Sequence, residues 1–412
     1  MKRPSDWYYQ NTLARELSQL TEREYRKFAD SELFSVTPVI LPTVENIVGE
    51  NDYFMWPIAA MIEGTIVVLY QRTPCHWGPD LEKSDGQGGI RMVVTSSDGG
   101  LTWTEPVDVL ESGQWPSSPF AGFGGGLGVH EGVVYLALKQ GVYQSKDKGL
   151  SWALVSADPV FDQVCDVLWA PGMRITFDQI HGLTIWTTSG FAEEAAVRKE
   201  RGAYGTHMVA VYSPDFGVTW KSESQALPEG LRLSEVTPVD AGGTLAFFLR
   251  NGLNDTRFGQ GYSGSKWFPF HFDLSNVGPV ALVDTPDINY NPVTGRFEVA
   301  APHRRGEGPG PTEKMKVNLY SIDPADLAQG STEWRYDGTL LCYRDQFGIS
   351  DGFNIVGSLI DVDRGMKHFH VWGGDCTGKA GIFQYSVSLD TPAVSQYLMR
   401  YYDRDRAHCE SN

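Results

Sequence analysis

The stretch Ser96-Ser97-Asp98-Gly99-Gly100-Leu101-Thr102-Trp103 recurs twice, as Ser145-Lys146-Asp147-Lys148-Gly149-Leu150-Ser151-Trp152 and as Ser213-Pro214-Asp215-Phe216-Gly217-Val218-Thr219-Trp220. The common pattern is S-x-D-x-G-x-[ST]-W, and three copies in one chain mark a repeat architecture. Each copy follows a run of alternating apolar residues: Ile90 to Thr95, Gly141 to Gln144 and Met208 to Tyr212. The residue types suit a hairpin corner. Asp can bond the amides of the turn, Gly supplies the unusual backbone angles, and Trp can wedge between neighbouring sheets.

The alternation extends outward from these turns. Six units over 54–70, 125–138, 175–188, 235–249, 289–300 and 353–372 each read as apolar strand, tight turn, apolar strand. The turns are Glu63-Gly64, Glu131-Gly132, His181-Gly182, Gly242-Gly243, Thr294-Gly295 and Arg364-Gly365. Roughly 40–60 residues build a four-stranded blade with its loops, which is close to the spacing of these openings. The last unit shows three strands, ending at Gly381-Ile382-Phe383-Gln384-Tyr385-Ser386, and the isolated strand 35–41 is the expected fourth. Its addition closes the ring and removes exposed sheet edges. The expected fold is an all-β propeller of six four-stranded blades. Seven blades is the alternative, because 158–172 resists assignment. Residues 1–30 place Leu13, Leu17, Leu20 and Tyr25 at helical spacing among charged side chains, which predicts a short helical extension capping the domain or a rim. The domain reading is therefore 1–30 extension, 31–400 propeller and 401–412 tail.

Charge and cysteines narrow the partners. The 412 residues carry a formal net charge of −17, which excludes nucleic acid and anionic membranes as natural partners. Neither the start, Met1 to Trp7, nor any later run has the apolar length of a signal peptide or a membrane span. A cytoplasmic setting is the expectation, or a secreted one if a leader has been removed. Cys75, Cys165, Cys342, Cys376 and Cys409 are odd in number and far apart, which predicts free thiols and no structural zinc. No cofactor motif is present: Gly122 to Gly128 is glycine-rich but precedes a strand, not a helix.

The repeated turn resembles the Asp-box, the signature turn of the sialidase-type β-propellers, over roughly residues 50–390. In that family the box is structural. The resemblance implies that its turns mark a scaffold face, shared with the turns between the first and second strands of each blade. It implies further that chemistry belongs to the opposite face, at the starts of the first strands and the ends of the second. On that sorting the candidate substrate-binding residues are Arg72, Trp77, Glu235, Arg250, Asn254, Arg304 and Arg305. The candidate catalytic residues are His76, Tyr290 and His303, and no metal is assigned. Asp178 and Gln179 fall on the same face by this reading. Cations gathered on one face of so negative a chain suit a carboxylate-bearing ligand, because Arg offers a fixed bidentate fork. The bland alternative is that these arginines pair with acidic neighbours on exposed loops. His130 and His181 fall near turns of the scaffold face, where structural roles are expected. His368 and His370 alternate on one strand, but no third ligand stands at metal-binding spacing.

Family members include sialidases, other glycosidases, glycan-binding modules and polysaccharide lyases. The sialidase pattern has an Arg-Ile-Pro at the first strand, where this chain reads Met55-Trp56-Pro57-Ile58 without arginine. Similarity to uronate-active propeller lyases implies β-elimination instead. In that reading Arg250, Asn254 and Arg304 neutralise the acid, while His76 and Tyr290 serve as base and acid. The first expectation is thus an enzyme cleaving an acidic oligosaccharide beside a uronate. A sialidase-like exo-glycosidase and a non-catalytic glycan- or protein-binding propeller are the alternatives.

Overall fold

The structure is a computed structural model. It describes residues 34–40, 53–73, 90–109, 126–138, 141–157, 167–168, 173–190, 207–226, 233–241, 244–251, 256–262, 271–272, 287–303, 315–329, 334–343, 355–374 and 380–389. The expected extension over 1–30 and the tail over 401–412 lie outside the described residues.

The chain is built of strands. β1 (Phe34–Ile40) comes first, followed by the quartet β2 (Tyr53–Ile62), β3 (Thr65–Thr73), β4 (Ile90–Ser96) and β5 (Val107–Asp108). Next are β6 (Gly126–His130), β7 (Val133–Leu138), β8 (Gly141–Ser145) and β9 (Ala153–Ala157). A third group holds β10 (Val167–Leu168), β11 (Ile175–Asp178), β12 (Gly182–Gly190), β13 (His207–Ser213) and β14 (Lys221–Ala226). The fourth is β15 (Leu233–Ala241), β16 (Thr244–Asn251), β17 (Thr256–Tyr262) and β18 (His271–Phe272). The fifth is β19 (Asp287–Asn291), β20 (Arg296–His303), β21 (Met315–Ile322) and β22 (Arg335–Tyr343). The last described strands are β23 (Ile355–Asp361), β24 (Met366–Gly374) and β25 (Ala380–Ser388). One short helix, α1 (Pro324–Ala328), sits between β21 and β22, capped by the Asp323 carboxylate on the Ala325 amide. Among the described residues no helix is long and apolar enough to cross a membrane.

These strands form five hydrogen-bonded sheets, all in propeller arrangement. Four hold one group each, and the eight-stranded one runs β23-β24-β25-β2-β3-β4-β5 with β1 on β25. Its middle junction is thin, a single parallel pair of Tyr53 with Ala380. β1, in contrast, makes an antiparallel ladder on β25 from Phe34↔Val387 to Ile40↔Ile382, so the first described strand lies beside the last. Two residues of the unassigned stretch 158–172 also find a place. Val167 and Leu168 pair with Gly190 and Ser189, so β10 extends the inner edge of the third sheet, ahead of β11.

The core follows from the two-residue strand period. Alternate side chains of one strand point to opposite faces, and each face meets a different neighbouring sheet. On β7, Val134, Leu136 and Leu138 pack toward the first quartet, against Val67, Leu69 and Val93. Tyr135 and Ala137 pack the other way, against Leu183, Ile185 and Val209 of the third sheet. β3 divides likewise, Val67 and Leu69 to one cluster and Ile66, Val68 and Tyr70 to another that includes Leu359 and Ile382. Strands buried on both faces explain the continuous apolar runs in the sequence.

The repeated turns are wired as their residue types require. Asp98 accepts from Ser96 Oγ at 2.7 Å, from the amides of Leu101 and Thr102 at 3.0 Å, and from Thr102 Oγ1 at 2.6 Å. Asp147 and Asp215 accept the matching bonds from Ser151 and Thr219. The Thr219 amide and hydroxyl hold the Asp215 carboxyl at about 2. Trp103 and Trp152 donate Nε1 to the Gly100 and Gly149 carbonyls of their own turns, at 3.2 and 3.1 Å, whereas Trp220 Nε1 crosses to Ser156 Oγ of β9 at 3.1 Å.

Candidate functional site

The hairpin turns define one face of the ring. Arg364, in the turn after β23, donates to the Ser97 carbonyl of the first repeated turn at 3.0 Å and to the Gly64 carbonyl at 3.3 Å. Lys148 of the second repeated turn meets Glu63 at 2.9 Å. The β2–β3 and β23–β24 turns therefore share a face with the repeated turns.

Strand register places several candidates at the other end. Arg72 is the penultimate residue of β3, opposite Phe54 and Ile90. Glu235, near the start of β15, lies directly across from Arg250 near the end of β16. His303 ends β20, opposite Lys316. These four occupy strand ends remote from the turns. Tyr290 does not. It is opposite Phe297, one residue before the 292–295 turn, and its ring packs on Phe297 at 5.6 Å. At about 3.3 Å per residue, the six positions from Phe297 to His303 separate Tyr290 from His303 by about 20 Å along the hairpin. Asp178 likewise belongs to the turn face, where it accepts from the Ile180 and His181 amides. For Tyr290 the strand begins at Asp287, two residues earlier than the sequence pattern implied, whereas β11 begins at Ile175 as expected and Asp178 is its last residue, at the turn. His76, Trp77, Asn254, Arg304 and Arg305 lie outside the described residues.

Sequence reasoning missed a polar network on the inner strands. Arg174, just before β11, donates Nε to Asp287 Oδ1 at 3.0 Å and Nη2 to Asp287 Oδ2 at 2.7 Å. Asp287, 1% exposed, also accepts from the Gly357 amide at 3.2 Å and from the amide and hydroxyl of Ser358. Asn289 Nδ2 donates to the Ser358 carbonyl at 2.7 Å, and Arg174 Nη2 reaches the same oxygen at 2.7 Å. Three sheets are thereby tied together around the axis by one buried ion pair. The signal was available: Arg174 and Asp287 stand where apolar strands open, four residues before Asp178 and three before Tyr290.

The backbone is irregular at the same level. Register shifts interrupt β2 between Met55 and Ile58, β15 between Leu233 and Glu235, and β23 between Ile355 and Ser358. Trp56 has φ 50 and Gly357 φ 110. A Cβ at Gly357 would meet the Ala59 amide nitrogen at 2.6 Å, so the β23 bulge needs glycine to lie against β2. Bulges concentrate at barrel rims and beside active sites, where they re-aim side chains.

His368 and His370 are committed elsewhere. His370 Nδ1 lies 2.7 Å from the Gly357 carbonyl and Nε2 3.0 Å from Gln384 Oε1. His368 Nδ1 lies 2.8 Å from Ser386 Oγ, and Nε2 lies 3.5 Å from Asp361. Burial lowers both histidines, His370 to about 4. Among the described residues no group of three or more potential ligands gathers for a metal.

No protein-family model matches this sequence, and no curated protein does. Solved structures do. A protein of unknown function from Dyadobacter fermentans matches with TM-score 0.57 at 15% identity, over 86% of this chain and 99% of that one. The NanB sialidase of Streptococcus pneumoniae matches with TM-score 0.53 at 12% identity, over 85% and 71%. The GH93 α-L-arabinofuranosidase of Fusarium graminearum matches with TM-score 0.51 at 14% identity, over 87% and 99%. The fold is that of the sialidase-like β-propellers. At such identities the likeness is one of architecture, and function in this propeller has to be argued from its own residues.

Proposed function

We propose that this propeller is a glycan-cleaving enzyme acting beside an acidic sugar, at the rim opposite the repeated turns. The eight-stranded sheet is read as two blades fused at one bridge, which makes six. The observation that carries the functional reading is the register of β15 and β16, which sets Glu235 beside Arg250 at that rim. Arg72 and His303 end their strands on the same side. An Arg cluster in a chain of net charge −17 suits recognition of a carboxylate. Arg72, Arg250, Arg304 and Arg305 would hold the sugar acid, with Asn254 and Trp77 completing its contacts. Glu235 would supply the carboxylate for hydrolysis, and His76 and His303 the proton transfers. Tyr290 drops out because of its place beside the turn. The fold is shared with structures described as a sialidase and an arabinofuranosidase, which supports hydrolysis as the first reading. β-Elimination at a uronate is the second, supported by the arginine-free Met55-Trp56-Pro57-Ile58.

The test is incubation with sialylated and uronate-containing oligosaccharides, with products read by mass spectrometry. Hydrolysis adds one water, while elimination leaves an unsaturated uronate and adds none. Arg250→Ala should lower kcat/KM about 10- to 100-fold, the worth of a charged hydrogen bond. Tyr290→Phe should leave it unchanged. Absence of turnover on every acidic glycan, with binding retained, would identify a binding module instead.

A further inference from the structure

A cavity of about 440 Å³ lies along the axis, lined by the inner strands β2, β6, β11 and β15 together with Leu359 of β23. That volume falls within the roughly 300–1,000 Å³ of small-molecule sites. Its lining runs from Arg174 to Met61, His130, Phe177 and Asp240, which stand close to the hairpin turns. The cavity therefore reaches the turn face, away from the rim carrying Glu235 and Arg250.

Three chemical features meet there. Arg174 is a donor: Asp287 and Ser358 engage Nε and Nη2, and among the described residues Nη1 has no protein acceptor. Asp240 is an acceptor. Whatever contact it already makes, an ionised carboxylate offers about four lone-pair sites. The third feature is aromatic. His130 stacks on Phe177 at 5.0 Å and on Phe216 at 4.9 Å, with interplanar angles of 14° and 15°. The two phenyl rings are 6.4 Å apart. The His130 side chain remains 33% exposed.

We propose that this axial cavity is a second binding site, for a neutral pyranose or a similar polyhydroxylated ring. A donor, an acceptor and a partly exposed aromatic side chain are what such a ring requires: hydroxyls accept from Arg174 and donate to Asp240, and C–H groups lie against the imidazole. Asp240 disfavours a carboxylated sugar here, which distinguishes this site from the acidic-sugar rim. The inference does not depend on that rim being catalytic.

The experiment is calorimetric titration of the full-length protein with the methyl glycosides of glucose, galactose and mannose, and with methyl glucuronoside. Saturable binding of at least one neutral glycoside is expected, tighter than that of the glucuronoside. Asp240→Asn and His130→Ala should each weaken it about 5- to 30-fold, and Arg250→Ala should leave it unchanged. Far-ultraviolet circular dichroism establishes that each variant is folded. No saturable binding by any of the three neutral glycosides overturns the proposal. Binding untouched by both cavity variants, or abolished by Arg250→Ala, overturns it equally.

Discussion

Asp287 shows how much can rest on one side chain. It is 1% exposed and accepts hydrogen bonds from Arg174, at the entry to β11, and from Gly357 and Ser358 of β23, so with its own β19 it joins three sheets. Removing one member of a buried ion pair leaves the other charge uncompensated, at a cost of about 3–5 kcal/mol. Asp287→Ala should therefore lower unfolding free energy by about that amount in urea titration. Arg174→Met combined with Asp287→Leu should recover a good part of it. Equal losses in the single and double variants would show that the pair is not the reason. Gly100 makes a similar point sterically. It has φ +91, and a Cβ there would collide with the Gln384 side chain of the neighbouring strand β25. Gly100→Ala should cost more than about 1 kcal/mol, whereas Gly132→Ala, also at positive φ but with nothing within 4 Å, should cost less.

Among the elements, the junction between β23–β25 and the first repeated turn has its own electrostatics. Gln384 Nε2 donates to the Gly99 carbonyl at 2.7 Å, and Arg364 ties Asp361 to Ser97 and Gly64. Behind them His370 faces the Gly357 carbonyl, Gln384, His368 and the edge of Trp103, with Asp287 acting at longer range. His368 faces Ser386, Gln384 and Asp361, and Arg364 acts on it as well. Burial holds both rings neutral, His370 down to about 4, whereas in the unfolded chain they titrate near the model-peptide value of about 6.5. Below about pH 6.5 the unfolded chain binds protons that the folded one refuses, so stability declines from there to about pH 4. The melting temperature should fall across that window, and His370→Gln should flatten the fall even if it lowers the starting value. An unchanged slope in the variant would remove His370 from the explanation.

For the whole molecule, the decisive contact joins the two ends of the described chain. β1 pairs along β25, and without it β25 would present a free edge. Deleting residues through Ile40 should lower the melting temperature and promote aggregation, because an exposed strand edge is a template for pairing with other chains. Light scattering during thermal melts checks this. A truncated protein as stable and as monodisperse as the full chain would mean that ring closure does not depend on β1.

Much of this architecture was legible in the residues. The S-x-D-x-G-x-[ST]-W turns, the Glu63-Gly64 type of hairpin and the apolar alternation are local devices, set by backbone angles and side-chain period, and they announce a strand-built ring. The role of 35–41 as a partner for the last strand could be read from an orphan strand and an incomplete final unit. Phase within a strand was another matter. Asn289 and Tyr290 looked like the opening of a strand because nothing local distinguishes its first residue from its fourth, and only the pairing of Tyr290 with Phe297 assigned it to the turn end. Arg174 and Asp287, 113 residues apart, could not be joined from sequence. Their pairing depends on where separate inner strands meet around the axis, and the cavity beside them exists only once that ring is closed. What the sequence determined by itself was the repeating unit, because each turn and strand is specified by its own neighbours. Which strand ends share a rim, which charges neutralise one another and where a ligand could sit were decided by the tertiary structure, because they arise between sheets distant in the chain.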